Sequence, residues 1–516
     1  MKQHRKFGPR VGLIGEGTYP VSMGGVSTWY DQLVRALPDH EFEVVTLVGD
    51  DRGSQWDRPE NVTGVTLVPM WDQIPRARLR GRRAENRRVA AALNALWAAT
   101  LPDGRSADPI GDAARALRQL ADVNDRHALA STLDRVTGLD AIARAWAGHR
   151  EANPELEPLS MYHAGQIDFL AIRMLSALDV QWPDVDVVHA TTNGASALIG
   201  LARHWRDGTP LILTEHGVYL RERYLGLGEA HLELPVAMAL LALTRVICQV
   251  VYREADVHAP VSEFNARWAE HLGADRERIR VVHNGVDDSK YAPIDTEPEV
   301  PTVSFVGRVD PLKDLGTLIS AFARVTEHVP DARLRIFGPI PEENHGYLAD
   351  LQAQLESLDL EESVTFEGKV PSARIAAEAG HVVALSSISE GLPYTVIESM
   401  MCGRATVSTD VGGVNEIVGR DGVAGALVSP RDPHAMAQEL ITLLVDGDAR
   451  RNMASRGRAR AAKVFALDRF ANAYRSVYHE AKYGAPVTPI TTDPQVETEL
   501  APVAELPART EQAVAS

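Results

Sequence analysis

The sequence of 516 residues contains only two cysteines, Cys248 and Cys402, which lie far apart in apolar surroundings. So few cysteines exclude a fold that depends on a disulfide framework. We therefore predict that both residues are buried free thiols. A single hydrophobic core does not extend over a chain of this length, so two domains with additional segments are expected.

The sequence also lacks an excess of positive charge. Its 53 lysines and arginines are outnumbered by 70 aspartates and glutamates, which leaves a formal net charge of −17. A general nucleic-acid-binding protein would normally carry a basic surface, so that class is disfavoured.

An uninterrupted membrane span is a third missing feature. The first ten residues, MKQHRKFGPR, are basic but run directly into a predicted strand without the apolar core of a signal peptide. The longest apolar stretch, LPVAMALLALTRVICQVVY, is interrupted by Thr244, Arg245 and Gln249. This interruption favours a buried helix over a membrane span. We predict a cytosolic protein.

What the sequence does contain is a regular alternation of short apolar runs with longer helical patterns. This alternation predicts parallel sheets that helices cover on both faces. The strand candidates of the first half are RVGLIGEG, EVVTLVG, VTLVP, DVVHATT, PLILTEH, DVHAPV and RVVHNGV. Those of the second half are TVSFVGR, RLRIFGP, SVTFEGK, VVALSS, ATVSTD and GALVSP. Between the halves, the proline-rich and acidic segment YAPIDTEPEVP is a predicted linker.

These patterns predict two Rossmann-like, doubly wound α/β domains, 1–295 and 296–465, that face each other across a cleft. A helix at 466–484 is expected to pack back on the first domain. An Ala-, Arg- and Leu-rich segment from about 73 to 180 predicts a helical insertion in the first domain. Residues 485–516 lack a periodic apolar face and are typical of a disordered tail. Ligands are expected at the carboxyl ends of the strands.

The stretch GEGTYPVSMGGVSTWYDQL follows the first predicted strand and contains two glycine pairs. Gly15 and Gly17 begin like a dinucleotide-binding fingerprint, but its third glycine position holds Pro20, which has no amide hydrogen. Asp50, an acid near the end of the second predicted strand, keeps the dinucleotide interpretation open.

Gly24 and Gly25 fit a phosphate site better. The apolar residues that follow recur with helical spacing, at Val26, Trp29, Tyr30, Leu33, Val34 and Leu37. The glycines therefore lie at the N-terminus of an amphipathic helix, where free amides and the helix dipole attract an anion. A simple glycine-rich turn stays open as the alternative.

Charged residues follow two predicted strands of the second half. Arg308 and Lys313 come after VSFVG, and two cations at the carboxyl end of a strand match a diphosphate. Two solvated loop cations would give the same pattern. Glu390 follows VVALSS, and Glu398 lies eight residues later in a predicted helix. Paired carboxylates also occur in glycoside hydrolases, but hydrolysis does not explain phosphate sites in two opposed domains.

The motifs GEGTYPVSMGGVS, VVHNGVD, FVGRVDPLKD and SEGLPYTVIESMMCGRATVSTDVGGVNEIV resemble those of retaining GT-B glycosyltransferases of family 4. The segment TEHGVYLRERYL and the helical insertion are similar to the PelF-like branch, which serves Pel-type exopolysaccharide synthesis. The resemblance covers roughly residues 8 to 480. It implies a GT-B fold and transfer of a hexosyl group from a nucleoside-diphosphate sugar, such as UDP-glucose, to a growing exopolysaccharide or another glycan. It also implies retention by attack on the same face of the sugar.

The resemblance further implies a donor site built mainly from the second domain. Arg308 and Lys313 match the pair that binds the diphosphate, and Glu390 matches the acid that holds hydroxyls of the donor sugar. Glu398 matches the acid that holds the ribose hydroxyls. Gly24 and Gly25 match the loop that meets the β-phosphate when the cleft closes, and Val370 lies where relatives hold the base through backbone groups. Amide contacts to phosphate and sugar would come from Gly391, Leu392 and Pro393.

Three residues of the first domain complete the resemblance. His216, in LTEHG, matches a histidine that relatives place beside the donor sugar. His189, in VVHATTNG, also ends a predicted strand and ranks below His216, and Asn284 is expected to shape the hinge side of the cleft. The candidate catalytic residues are His216, Arg308, Lys313 and Glu390.

No metal or other cofactor is predicted. Asp184 and Asp186 form the D-x-D pattern of metal-dependent sugar-nucleotide enzymes, but they precede a strand and should lie away from the cleft. The implied partners are a nucleotide-sugar donor, a glycan acceptor and membrane-bound polysaccharide synthase components at the inner face of the membrane. The Arg-rich stretch 76–88 matches either a docking site for an acidic polymer, membrane or partner, or a solvated helix face.

Two other function classes share the cleft. A GT-B-like nucleotide-sugar epimerase would need several acid and base groups around the sugar, and a phosphorylase would need a lysine for pyridoxal phosphate. The sequence shows no clear signature of either. A non-catalytic nucleotide-sugar-binding subunit is the third alternative, which the intact set of Arg308, Lys313, Glu390 and Glu398 disfavours.

Overall fold

The computed structural model describes residues 8–49, 56–71, 83–123, 128–226 and 232–484. These residues form two six-stranded parallel sheets. The strand orders are β3-β2-β1-β4-β5-β6 and β12-β11-β10-β7-β8-β9. Both sheets therefore have the same doubly wound order, in which the first strand of each sheet lies beside its fourth.

The first sheet consists of β1 (Arg10–Glu16), β2 (Glu41–Val48), β3 (Val62–Pro69), β4 (Val187–Ala190), β5 (Leu211–Leu213) and β6 (Val257–His258). Its strands are apolar on both faces, as predicted. Val11 and Leu13 belong to one buried cluster, whereas Ile14 and Val45 belong to another. Successive side chains of a strand point to opposite faces, so both faces of this sheet are covered.

Helices connect these strands and form a long insertion between β3 and β4. Those of the first half are α1 (Gly25–Ala36), α2 (Arg83–Thr100), α3 (Pro109–Ala121), α4 (Ala128–Val136), α5 (Leu139–Ala152), α6 (Met161–Leu175), α7 (Ala195–Asp207), α8 (Tyr219–Leu225), α9 (Leu234–Glu254) and α10 (Glu263–His271). The insertion comprises α2 to α6. Of the Arg-rich stretch 76–88, residues 83–88 start α2, and 76–82 lie outside the described residues, as does Asp50.

The second sheet consists of β7 (Thr302–Val306), β8 (Arg333–Phe337), β9 (Val364–Gly368), β10 (Val382–Leu385), β11 (Ala405–Thr409) and β12 (Ala426–Val428). Its helices are α11 (Leu315–His328), α12 (His345–Ser357), α13 (Ala373–Ala379), α14 (Tyr394–Met401), α15 (Val414–Val418), α16 (Pro433–Val445) and α17 (Gly447–Val464). All six strands predicted for this half are present.

The last helix, α18 (Leu467–Tyr483), returns to the first sheet. Its side chains Phe470 and Tyr474 pack against Trp29 of α1, with ring centroids 6.1 and 5.3 Å away. The bridge between Val286 and Ala466 ties the start of this helix to the end of the first half. Residues 485–516 lie outside the described part of the chain.

One of the strands predicted from the sequence is absent from the structure. RVVHNGV is not a seventh strand, because β6 is too short to support a full ladder. Its bridge is the one from Val286 to Ala466, the preceding Ile279 bridges His258, and Arg280 N donates to His258 O. The long apolar stretch is α9. It is long and apolar enough to cross a membrane, with a mean hydropathy of 2.0, yet 56% of that window is buried inside the protein. Cys248 and Cys402 are both buried and free, as predicted.

Candidate functional site

The N-terminus of α1 is an uncapped helix end. Its N-cap is Gly24, no side chain accepts from its first amides, and its first turn contains no acid. Gly24 and Gly25 are both exposed. The unsatisfied amides of the first turn and the positive end of the helix dipole therefore form a surface suited to an anion.

The N-terminus of α14 lies directly opposite, in the second half of the chain. A Cβ atom placed on Gly25 would be 3.8 Å from Cδ2 of Tyr394, the first residue of α14. This end is also uncapped by any side chain. Two helix N-termini thus meet across the cleft, one from each sheet.

The predicted amide contact from Pro393 is wrong. It is the N-cap of α14 and has no amide hydrogen, so it cannot donate to a phosphate or sugar. The free amides of this helix end belong to its first residues, Tyr394, Thr395 and Val396. Leu392 is buried, and its carbonyl accepts a bond from Asn284.

Gly391 marks a close approach of the two halves. A Cβ atom at this position would be only 1.5 Å from the carbonyl oxygen of His216, so a larger side chain would force the cleft apart. The sequence motif after β10 therefore requires glycine here for the approach of a second backbone.

Lys313 and Glu390 form an ion pair within the second half. Nζ of Lys313 donates to Oε1 of Glu390 at 2.5 Å, and Oγ of Ser387 donates to the same oxygen at 2.6 Å. The carbonyl of Lys313 accepts from Ser386 at 2.7 Å. The loops after β7 and β10 are therefore fixed together by charged and polar contacts at the carboxyl edge of the sheet.

Arg308 and Val370 follow β7 and β9, which β8 separates in the sheet, and both are less constrained. The Arg308 side chain is 57% exposed, and its guanidinium lies 3.5 Å from Asp310. Val370 is half-buried two residues beyond β9, at the edge of the second sheet. Arg308 is thus an exposed cation just beyond the carboxyl end of β7, and Val370 lies two strands away at the edge of the sheet.

Glu398 is a buried carboxylate one turn into α14. It is 6% exposed, and burial raises its pKa to about 7. The hydroxyl of Tyr291 donates to Oε1 of Glu398 at 2.6 Å. Tyr291 starts the predicted linker, and nothing in that composition pointed to its contact with the site.

His216 follows β5 and lies against α1. Its ring is 5.0 Å from that of Trp29 in an edge-to-face arrangement, and its buried Nε2 has no hydrogen-bond partner among the described residues. Burial lowers its pKa to about 3, so the ring is neutral at physiological pH. A neutral, unpartnered ring nitrogen can exchange a hydrogen bond with a ligand.

His189 has a different environment. It is fully buried, with Nδ1 2.9 Å from the Tyr478 hydroxyl and Nε2 2.8 Å from Oγ1 of Thr214. Both ring nitrogens are therefore used by the protein, and this histidine fastens α18 to the first sheet.

Several contacts join the two halves beside the cleft. Nδ2 of Asn284 donates to the carbonyl of Leu392 at 2.7 Å. Glu416 of α15 accepts from the backbone amides of Glu263 and Phe264 at 2.9 and 3.0 Å, at the N-terminus of α10. Asn284 was singled out from the sequence, whereas the cap provided by Glu416 is visible only in three dimensions.

Asp184 and Asp186 lie at the amino end of β4, opposite the carboxyl edge that forms the cleft. Asp184 pairs with Arg203 at 2.7 Å, and Asp186 pairs with Lys482 at 2.8 Å. Within the described residues, no group of three or more His, Cys, Asp or Glu side chains could hold a metal ion.

Two family models match the chain. Residues 9–277 match the domain of unknown function DUF3492, and residues 300–446 match "Glycosyl transferases group 1". A D-inositol 3-phosphate glycosyltransferase of Nocardia farcinica is 34% identical over 229 residues, which are 41% of this chain and 50% of that protein. One of Streptomyces bingchenggensis is 27% identical over 365 residues, 66% of this chain and 70% of that protein. The chain thus spans about half the length of the first relative.

Solved structures with the same architecture confirm the GT-B fold class. Anabaena HepE in complex with UDP and glucose has a TM-score of 0.57 at 16% identity, and the match covers 90% of this chain and 97% of HepE. Sucrose-phosphate synthase from Thermosynechococcus elongatus has a TM-score of 0.60 at 15% identity, with 92% and 100% covered. At these identities the likeness establishes the fold alone.

Proposed function

The chain belongs to the DUF3492 family and carries a glycosyl transferase group 1 domain in a GT-B fold, and from this we propose that it is a retaining glycosyltransferase of the family 4, PelF-like type. It transfers a hexosyl group from a nucleoside-diphosphate sugar, UDP-glucose or a similar UDP-hexose, to a growing exopolysaccharide or another glycan.

The observation that carries this proposal is the meeting of two uncapped helix N-termini across the cleft, at Gly25 and Tyr394. A diphosphate between them would be approached by free amides from both halves. Arg308 and Lys313 lie at the carboxyl edge of the second sheet and supply positive charge. This combination suits the charge that develops on a departing nucleoside diphosphate.

The two carboxylates of the second half suit the hydroxyl groups of the donor. Glu390 holds one oxygen toward Lys313 and Ser387, which leaves Oε2 without a partner among the described residues. Glu398 likewise uses only Oε1, toward Tyr291. Glu390 would hold donor-sugar hydroxyls and Glu398 the ribose hydroxyls, because carboxylates accept hydrogen bonds from both.

The reaction breaks the bond between sugar C1 and the phosphate oxygen and forms a bond from C1 to an acceptor oxygen on the same face. The acceptor proton passes to the departing diphosphate. Lys313, Arg308 and the two helix ends stabilise the negative charge on that group, and neutral His216 offers Nε2 to the donor sugar. Closure of the cleft would exclude water from this step.

Transfer is proposed to need no metal or other cofactor. The observation in favour is that the D-x-D acids, Asp184 and Asp186, are paired with Arg203 and Lys482 at the amino end of β4. The proposed setting is the cytoplasm, at the inner face of the membrane, with membrane-bound polysaccharide synthase components as partners. D-inositol 3-phosphate is one of the acceptors to test, because the relatives described above are D-inositol 3-phosphate glycosyltransferases.

A thermal-shift screen with UDP, ADP, GDP and NADH, each with and without EDTA, tests the proposal. We expect UDP to raise the melting temperature regardless of EDTA, and NADH to leave it unchanged. The Glu398→Ala variant should lose the response to UDP, whereas Glu270→Ala, at an exposed position of α10, should keep it. A response to NADH with none to any nucleoside diphosphate would contradict the proposal.

Transfer itself is measured with UDP-glucose and a panel of glycan acceptors and D-inositol 3-phosphate. We expect an α-linked product, since the linkage in UDP-glucose is α and the proposed reaction retains it. A β-linked product would contradict retention. Loss of transfer on addition of EDTA would contradict metal independence.

A further inference from the structure

Helix α8 places the charged residues Arg221 and Glu222 on the cleft wall of the first half. Neither residue is part of the donor site proposed above. Nη1 of Arg221 donates to Oγ of Ser389, the neighbour of Glu390. This is a direct side-chain contact from the first half to the loop after β10. The residue after Arg221, Glu222, is therefore also held close to that loop.

The carboxylate of Glu222 lies against the backbone that follows His216. A Cβ atom on Gly217 would be 1.7 Å from Oε1 of Glu222. Gly391 approaches the same backbone, since its own Cβ position would be 3.3 Å from the amide nitrogen of Gly217. Glu222 thus shares one corner of the cleft with His216, Gly391 and Glu390.

No described residue donates a side-chain hydrogen bond to the Glu222 carboxylate or forms an ion pair with it. The nearby cations are engaged elsewhere: Arg223 binds Glu16 at 2.7 Å, Arg221 binds Ser389, and Lys313 binds Glu390. Desolvation raises the pKa of Glu222, and the charge of Glu390 acts in the same direction. Solvent still reaches the side chain, as expected on a cleft wall.

We propose that Glu222 binds the acceptor, by accepting a hydrogen bond from a hydroxyl of the sugar or polyol that receives the hexosyl group. This inference rests on the proposed function. A carboxylate can only accept hydrogen bonds, so a ligand rich in hydroxyl groups supplies what the protein does not. Glu222 comes from the first half, opposite Glu390 and Glu398 of the donor side, and this position assigns it to the acceptor.

The test compares Glu222→Gln with the wild type in three measurements: the Kd of UDP, the hydrolysis of UDP-glucose without an acceptor, and transfer to D-glucose as the acceptor probe. The glutamine keeps the size of the side chain but loses the charge. We expect transfer to fall about 100-fold, mainly through a higher KM for glucose, because a hydrogen bond to a charged acceptor is lost. The Kd of UDP and the rate of hydrolysis should not change.

Glu270→Gln on the exposed face of α10 is the matched control and should behave like the wild type in all three measurements. Unchanged transfer by Glu222→Gln would overturn the inference. A parallel loss of UDP affinity, hydrolysis and melting temperature would overturn it too, because Glu222 would then only support the Gly217 backbone. If the wild type neither binds UDP nor hydrolyses UDP-glucose, the proposed function itself fails. That outcome is distinct from a failure of the Glu222 variant alone.

Discussion

The two walls of the cleft differ although both sheets have the same strand order. The wall from the second sheet carries charged side chains, and Lys313 and Glu390 are paired within their own half. The wall from the first sheet presents glycines at a helix end and the neutral ring of His216. The difference teaches that the second half fixes the cation suited to a diphosphate, whereas at that position the first half contributes the amides of a helix end.

A buried glutamate in each half shows the same division. Glu215 beside β5 and Glu398 in α14 each accept a bond from a tyrosine hydroxyl, and burial raises the pKa of each to about 7. The other oxygen of Glu215 accepts a hydrogen bond from the amide of Tyr219, so both oxygens of this carboxylate have partners within the protein. Oε2 of Glu398 has no partner among the described residues. Of these two buried glutamates, only Glu398 keeps a carboxylate oxygen for a ligand.

The largest effect is expected from Lys313→Ala. This change removes a cation from the charged wall and leaves Glu390 unpaired where the diphosphate should lie. We expect turnover of UDP-glucose to fall about 1,000-fold. Arg324→Ala, at an exposed position of α11, is the control. Wild-type turnover in the Lys313 variant would refute a division in which this half supplies the charges.

Gly24→Asp tests the wall that contributes dipoles. The residue has extended backbone, and nothing lies within 4 Å of a Cβ at this position, so an aspartate fits and can cap α1. We expect the helix to be stabilised by only about a few tenths of a kcal/mol, since glycine is already an acceptable N-cap, while turnover falls about 100-fold because a carboxylate replaces the diphosphate at the amides. Gly24→Asn caps without charge and should lose much less. Equal losses in both variants would show that charge at this helix end is irrelevant.

The pH dependence of stability and of UDP binding should separate Glu215 from Glu398. Each folded-state pKa of about 7 lies above the ordinary 4.5, so the folded protein keeps protons that the unfolded chain has lost. Stability should therefore fall as pH rises from about 4.5 to about 7, by up to about 3 kcal/mol per group. Glu215→Gln and Glu398→Gln should each flatten this decline, as measured by melting temperature.

UDP binding should respond to only one of these groups. In the wild type, affinity for UDP should rise as Glu398 ionises near pH 7, since the ionised carboxylate accepts ribose hydroxyl bonds more strongly. Glu398→Gln should abolish this rise and Glu215→Gln should preserve it. A rise that survives in Glu398→Gln would assign the effect to another group.

The sequence predicts the charged wall better than the other because its residues follow apolar strands in one continuous domain. Six strands, the helix that begins at Tyr394 and the positions of Lys313 and Glu390 all follow from local patterns. Tyr291 beside Glu398 and Glu416 at the N-terminus of α10 could not be predicted, since each contact joins residues more than 100 positions apart. The role proposed for Glu222 could not be predicted either, because a glutamate in a short polar helix has the sequence pattern of an ordinary solvated residue.

The smallest effect is expected from Tyr478→Phe, which tests whether the two walls are independent. The variant removes the hydroxyl that meets Nδ1 of His189 and so leaves a buried ring nitrogen without its partner. We expect a loss of about 1–3 kcal/mol in stability, seen as a lower melting temperature.

Tyr483→Phe, the same change at an exposed position of α18, should have no effect on stability. The Kd of UDP should be the same in both variants, because Glu398, the proposed ribose ligand, lies in the second half and, among the described residues, forms no hydrogen bond with α18. A weaker Kd in Tyr478→Phe would show instead that α18 transmits changes in the first half to the donor side.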